Sequence, residues 1–128
     1  MRQIQFAGME DAITVHKTNG IDVSYYIFEE SEIHLNRIAP GSVQEWHYHS
    51  NIDESLIITK GALTCRWLED GEEKTRIAVE HEIVRVGNSV HTFANETSDE
   101  VEFVVFRFVP DGRDKREIIK KDKVVVSR

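Results

Sequence analysis

The sequence has one cysteine, two prolines and no long apolar run, and these scarcities exclude several classes of protein. A single thiol, Cys65, cannot form an intrachain disulfide, so a reducing compartment is compatible with this chain. No segment approaches the roughly 20 consecutive apolar residues that cross a bilayer, and residues 1–17 lack the pattern of a signal peptide. The sequence therefore predicts a soluble, cytoplasmic protein without a membrane partner.

Positive charge is also in short supply. The chain holds 16 Lys plus Arg against 23 Asp plus Glu, a net charge of −7. A surface of that sign repels phosphate groups, so we expect neither nucleic acid nor an anionic membrane as a partner. Residues 111–128 differ, with seven basic and four acidic side chains, a net +3 that leaves −10 for residues 1–110. We interpret this C-terminal stretch as a solvated, salt-bridging segment.

Length and pattern predict a single β domain. A chain of 128 residues, 40% hydrophobic and 30% charged, fits one globular domain over residues 1–128. Short β-branched and aromatic runs dominate the sequence and predict strands. The runs are 21–28, 32–38, 54–59, 62–68, 75–79, 83–86, 91–94 and 101–109. Turn signals such as Asn19-Gly20 and Asp70-Gly71 separate them, which predicts a sandwich or one small barrel.

Two of the six histidines, His47 and His49, flank a single tyrosine. In an extended strand, residues two apart share a face and lie about 6.6 Å apart, so both imidazoles can converge on one ion. Glu54 has an odd offset from His49, which would put it on the opposite face of an uninterrupted strand. The turn-forming residues 50–53 can reverse the chain, so we expect Glu54 to open the adjacent antiparallel strand. Two strands would then supply three metal ligands.

The spacing of these residues resembles the first motif of the cupin family, G(X)5HXH(X)3,4E(X)6G. Every defined position is matched, by Gly41, His47, His49, Glu54 and Gly61.

The second cupin motif, G(X)5PXG(X)2H(X)3N, is matched in part by His91 and Asn95. His81 stands in place of the first glycine, ten residues before His91 where the motif has eleven. No proline precedes Gly87, which lies four residues before His91 rather than three. Histidine accepts a positive φ better than most side chains, so the turn can still form at His81.

The resemblance covers a barrel core of about residues 33–109. It implies an all-β fold, a single-domain, jelly-roll-like cupin β-barrel of two antiparallel sheets, with a charged segment and a last strand in residues 111–128. It also implies a homodimer, because small cupins pair through a sheet edge or exchange terminal strands. The implied metal ligands are His47, His49, Glu54 and His91.

The implied ligand set narrows the choice of metal ion. Three imidazoles and one carboxylate leave two octahedral positions open, which suits Fe(II), Mn(II), Co(II) or Ni(II), whereas Zn(II) prefers a smaller shell. We favour Fe(II) or Mn(II). Glu54 has a second interpretation, as a catalytic base that stays off the metal.

The expected function is that of a metal-dependent enzyme, an oxidoreductase of the dioxygenase type acting on a small-molecule substrate. An isomerase or lyase and a non-catalytic binder of a metal or small molecule are the alternatives. A sugar-nucleotide epimerase, which often has no metal, fits the complete set of metal ligands less well. Candidate cavity residues are Asn36, Gln44, Phe93 and Arg107. His16, His34 and His81 are interpreted as surface or supporting residues, and Asn95-Glu96-Thr97 as a turn.

Overall fold

The structure, a computed structural model, describes residues 2–128 and is built almost entirely from strands. After a 3-10 helix at Met9–Asp11, the described chain forms nine strands and one short α-helix. Their bounds are β1 Ile13–His16, β2 Ile21–Ile27, β3 Ser31–Ile38, β4 Asp53–Lys60, β5 Ala62–Glu69, β6 Glu72–Val79, β7 Ile83–Arg85, β8 His91–Ala94, β9 Val101–Phe108 and α1 Arg116–Lys121. Strands β2 to β9 match the eight predicted runs; β1 and α1 were not predicted.

The strands form two antiparallel sheets, which confirms the predicted fold class. One sheet has the order β1-β2-β3-β9-β4-β7 and the other the order β6-β5-β8. The segment before β4 extends the smaller sheet, because isolated bridges join Val43 to Ala94 and His47 to His91. This segment is not a regular strand, so the predicted strand around His47 and His49 is only partly formed.

Alternation along the strands places the apolar core between the sheets. On β9, Val101, Phe103 and Val105 are at most 4% exposed, and their neighbours Val104 and Phe106 face the other way. Each buried side chain of this kind stabilises the fold by about 1.5–3 kcal/mol. The same alternation turns Arg107 inward, directly opposite Glu54 on β4. The inner face of this sheet therefore becomes charged toward one end.

Turns close where positive φ angles are available. Asp70 and Gly71 join β5 to β6 with φ of +51° and +79°, as a two-residue hairpin requires. Gly61 has φ +81°, and a Cβ there would lie 3.2 Å from the Glu100 carbonyl oxygen. His81 has φ +74°, so it adopts the conformation that the second cupin motif assigns to glycine.

Asn95 is completely buried, and its side chain organises the turn after β8. Its amide nitrogen donates to the carbonyl oxygens of Ile38 and Asp99 at 2.8 and 2.7 Å. Its amide oxygen accepts hydrogen bonds from the backbone nitrogen and the hydroxyl of Thr97. The turn interpretation of Asn95-Glu96-Thr97 is therefore confirmed.

The C-terminal segment contradicts the sequence-based expectation of a last strand. Residues 111–128 contain helix α1, whose residues are good helix formers and whose Glu117 pairs with Lys121 at 3.3 Å. The C-terminal valines, Val124 to Val126, are 70–83% exposed and lie outside any strand. No helix within residues 2–128 is long and apolar enough to cross a membrane.

Candidate metal centre

Three histidine rings meet where the segment before β4 runs beside β8. His47 and His91 are directly opposed, and each backbone nitrogen donates to the other residue's carbonyl oxygen at 2.9–3.0 Å. The ring centroid of His47 lies 4.5 Å from that of His91 and 5.1 Å from that of His49. One ring nitrogen of each histidine lies within 4.8 Å of the other two. Metal–nitrogen bonds are about 2.1 Å long, so small side-chain rotations would let one ion reach all three.

Backbone carbonyls set the tautomers of two of these rings. Nδ1 of His47 lies 2.9 Å from the Glu45 carbonyl oxygen, and Nδ1 of His91 lies 2.9 Å from that of Ser89. A carbonyl oxygen can only accept, so each Nδ1 carries the proton and each Nε2 keeps a free lone pair. Metal-binding histidines are held in this way, because the second nitrogen's hydrogen bond fixes the ring.

The Nε2 atoms of His49 and His91 are buried, and neither has a hydrogen-bond partner in the described part of the chain. A buried acceptor without a partner costs about 1–3 kcal/mol. Burial is also the main cause that lowers the pKa of both imidazoles below 6.5, against the opposing effect of Glu54 on His49 and of the hydrogen bond to the Ser89 backbone on His91. Both rings are therefore neutral at pH 7, the state that binds a cation. This donor set fits a divalent metal ion.

Glu54 lies beside the cluster but comes from the other sheet. It is 4% exposed, and its Oε2 atom is 3.4 Å from Nε2 of His49. Strand β4 pairs with β9 and β7, so the expectation that Glu54 opens the strand next to His47 and His49 is wrong. Residues 50–52 carry the chain across to the larger sheet instead of turning it back within one sheet.

The structure thus groups three of the four predicted ligands and places the fourth at their edge. His47, His49 and His91 form the cluster, whereas Glu54 is not among the residues whose ligand atoms lie within 4.8 Å of one another. Its other oxygen, Oε1, accepts a hydrogen bond from Nε of Arg107 at 2.6 Å. That ion pair was not predicted, although an arginine at an inward position of a strand requires a buried partner.

The four candidate cavity residues, Asn36, Gln44, Phe93 and Arg107, line one small cavity of about 30 Å³ together with Glu54. A space of this size holds about two water molecules.

The other histidines lie outside the cluster. His34 is 2% exposed, so it is a buried residue rather than a surface one, and its Nε2 atom lies 2.8 Å from Glu32 Oε1. His16 and His81 are exposed, as predicted. Trp46 and Tyr48 are 42% and 63% exposed, so they do not pack between the sheets.

No protein-family model matches the chain, and no curated protein matches it either. Solved structures do. A Cupin 2 conserved barrel domain protein from Salinispora arenicola has a TM-score of 0.65 at 17% identity, covering 84% of this chain and 90% of that one. The Cupin_2 domain of an XRE family transcriptional regulator from Enterobacter cloacae has a TM-score of 0.58 at 23% identity, over 71% of this chain and 98% of that one.

A sugar phosphate isomerase of the cupin superfamily from Silicibacter pomeroyi has a TM-score of 0.60 at 23% identity. That match covers 71% of this chain, which spans 60% of the isomerase chain. At such low identities the likenesses show a common fold and nothing about activity.

Proposed function

The chain has the cupin fold, and we propose that it is a metal-dependent enzyme of the dioxygenase type acting on a small organic molecule. The observation that carries the proposal is the cluster of three imidazoles, in which neither buried Nε2 of His49 and His91 forms a hydrogen bond within residues 2–128, and the nearest carboxylate oxygen, Glu54 Oε2, lies 3.4 Å from that of His49. Three nitrogen donors of this kind fit Fe(II) or Mn(II), and they also accommodate Ni(II), Co(II) or Zn(II).

His47, His49 and His91 would hold the ion, and Oε2 of Glu54 would be the fourth ligand. A divalent ion with open positions supplies Lewis-acid and redox chemistry to an oxygen-bearing substrate. The carbonyls of Glu45 and Ser89 keep two of the rings in the tautomer that such binding needs.

Glu54 supports two roles from one position. Arg107 fixes Oε1 and stabilises the carboxylate, while Oε2 faces His49. Oε2 could complete the ligand set, or it could accept a proton from the substrate as a general base. The apolar side chains of Leu56 and Val105, which line the same cavity, exclude bulk water from this carboxylate.

Oxygen consumption tests the enzymatic proposal. Protein loaded with Fe(II) under anaerobic conditions is mixed with oxygenated buffer and a panel of diketones and thiols, and oxygen uptake is followed with an electrode. We expect substrate-dependent uptake by the wild type and by His16→Ala, because the exposed His16 is outside the cluster. His91→Ala should lose the uptake. Equal rates in all three proteins would contradict the proposal.

A second candidate is a non-catalytic binder of a metal or small molecule. The match over 98% of the cupin domain of a transcriptional regulator supports it. Tight ligand binding without oxygen uptake or any change in the ligand would favour this candidate. Conversion of a ligand without oxygen uptake would instead indicate an isomerase or lyase.

We also propose a homodimer formed through the outer face of the larger sheet. Ile33, Phe106, Ile57 and Ile83 lie on that face in adjacent strands and are 36–68% exposed. An apolar face of this kind suits a second copy of the chain. Analytical ultracentrifugation should show a dimer for the wild type and a monomer for Ile57→Lys. A monomeric wild type would contradict the proposal.

A further inference from the structure

Arg107 uses only part of its hydrogen-bonding capacity. Its Nε atom donates to Glu54 at 2.6 Å. Across residues 2–128, neither terminal nitrogen of this guanidinium forms a hydrogen bond. The side chain is 32% exposed, so these nitrogens carry four N–H groups that a ligand could reach.

Arg107 also separates two spaces. On its inner side is the cavity of about 30 Å³ that it shares with Glu54. On its outer side is an open depression of about 830 Å³. Among residues 2–128, Arg107 is the one that lines both the cavity and the depression. Apolar side chains form much of the depression, including Phe28, Ile52 and Phe108. A molecule lying in the depression would meet Arg107 at its inner end.

We infer that the substrate is a monocarboxylate with an apolar body, and that Arg107 binds its carboxylate. The inference rests on the proposed function and names its substrate class. The two terminal nitrogens of a guanidinium match the two oxygens of a carboxylate, which gives a bidentate, charge-assisted pair. The apolar body lies against Phe28, Ile52 and Phe108.

Arg107 is connected to the histidine cluster through a single residue. Glu54 links the two, 2.6 Å from Arg107 on one oxygen and 3.4 Å from His49 on the other. A carboxylate held by Arg107 would therefore lie one residue away from the proposed metal ligands, and Arg107 would act as a positioning residue.

The charge of the lining disfavours phosphate esters. The depression is lined by four acidic residues, Glu29, Glu30, Glu32 and Asp111, and by three basic ones, Arg2, Arg107 and Lys115. This balance of −1 disfavours a dianion more strongly than a monoanion.

Calorimetric titration tests the inference on metal-free and on Mn(II)-loaded protein. The ligands are acetate, butanoate and phenylacetate, each paired with its uncharged amide, together with glucose 6-phosphate. We expect phenylacetate to bind most tightly, because it has the largest apolar body. Phenylacetamide and glucose 6-phosphate should bind at least tenfold more weakly. No measurable carboxylate binding, or equal binding of the amides, would overturn the inference.

Arg107→Lys is the decisive variant, because it keeps the charge next to Glu54 and loses the two-pronged geometry. It should weaken phenylacetate binding at least tenfold. The matched control is Arg37→Lys on β3, where Arg37 lies 3.7 Å from Glu102; it should bind phenylacetate like the wild type. Unchanged affinity in Arg107→Lys would overturn the inference. If that variant fails to fold, the comparison of acid and amide on the wild type still decides.

The two proposals fail separately. If Mn(II) does not bind but phenylacetate binding still depends on Arg107, the proposal of a metal-dependent enzyme is refuted and the carboxylate site stands. If Mn(II) binds and the affinity for phenylacetate is the same in the wild type and in Arg107→Lys, only the carboxylate site is refuted.

Discussion

Replacing His49 by leucine should show separately how His49 affects the stability of the metal-free protein and how it contributes to metal binding. In the metal-free protein, the buried Nε2 of His49 lies 3.4 Å from Glu54 Oε2 but forms no hydrogen bond within residues 2–128, and an unsatisfied buried group of this kind costs about 1–3 kcal/mol. The His49 side chain is 16% exposed, and leucine fills a similar volume. We therefore expect His49→Leu without metal to be as stable as the wild type, or more stable by about 1 kcal/mol.

Bound metal should make the wild type more stable than His49→Leu. A free ion at 100 times its dissociation constant stabilises the native state by about 2.7 kcal/mol. For a domain of this length that corresponds to a rise in Tm of about 10 °C. The wild type should show this rise and His49→Leu should not, because the variant lacks one of the clustered ligands.

Thermal denaturation with EDTA and with Mn(II), followed by circular dichroism, measures both effects. The control is His16→Leu, which removes an exposed histidine and should keep the full metal-dependent rise. A loss of several kcal/mol in metal-free His49→Leu would show that His49 is a structural core residue. An equal rise in Tm for both variants would show that the ion binds elsewhere. Either result refutes the reasoning.

Three further predictions concern the fold. The free energy of unfolding of the metal-free protein should fall as the pH drops below about 6.5. Burial lowers the folded-state pKa of His34, His49 and His91, so the unfolded chain binds protons before the folded one does. Urea titrations at pH 7.5 and 5.5 measure this, and equal values would contradict it. Gly61→Ala should lower stability by more than Gly71→Ala, because both have positive φ but only Gly61 is crowded, and equal urea midpoints would contradict this. Asn95→Ala should lose about 3 kcal/mol with its four hydrogen bonds, and a loss below 1 kcal/mol would be inconsistent with its role in the turn.

Patterns over a few neighbouring residues were enough to predict the strands and the three clustered histidines. Residues two apart in an extended segment share a face, so the spacing of His47 and His49 was enough to predict that their rings meet. Short β-branched and aromatic runs predicted strands β2 to β9. The second motif led to His91 even though its glycine is replaced, because His81 adopts the positive φ that the turn requires.

Long-range pairing could not be predicted from such patterns. Glu54 and Arg107 are 53 residues apart, and only the order of strands in the larger sheet makes them neighbours. For the same reason the sheet that carries Glu54 was misassigned. The resemblance implied a last strand in residues 111–128, but a strand needs a pairing partner, and this stretch contains the helix α1 instead.

Metal content measured by elemental analysis tests the central claim most directly. Wild-type protein, purified by gel filtration after loading with Mn(II) or Fe(II), should carry close to one ion per chain. His47→Ala and His49→Ala should each carry almost none. Retention of the ion in both variants would contradict the claim that these imidazoles form a metal site.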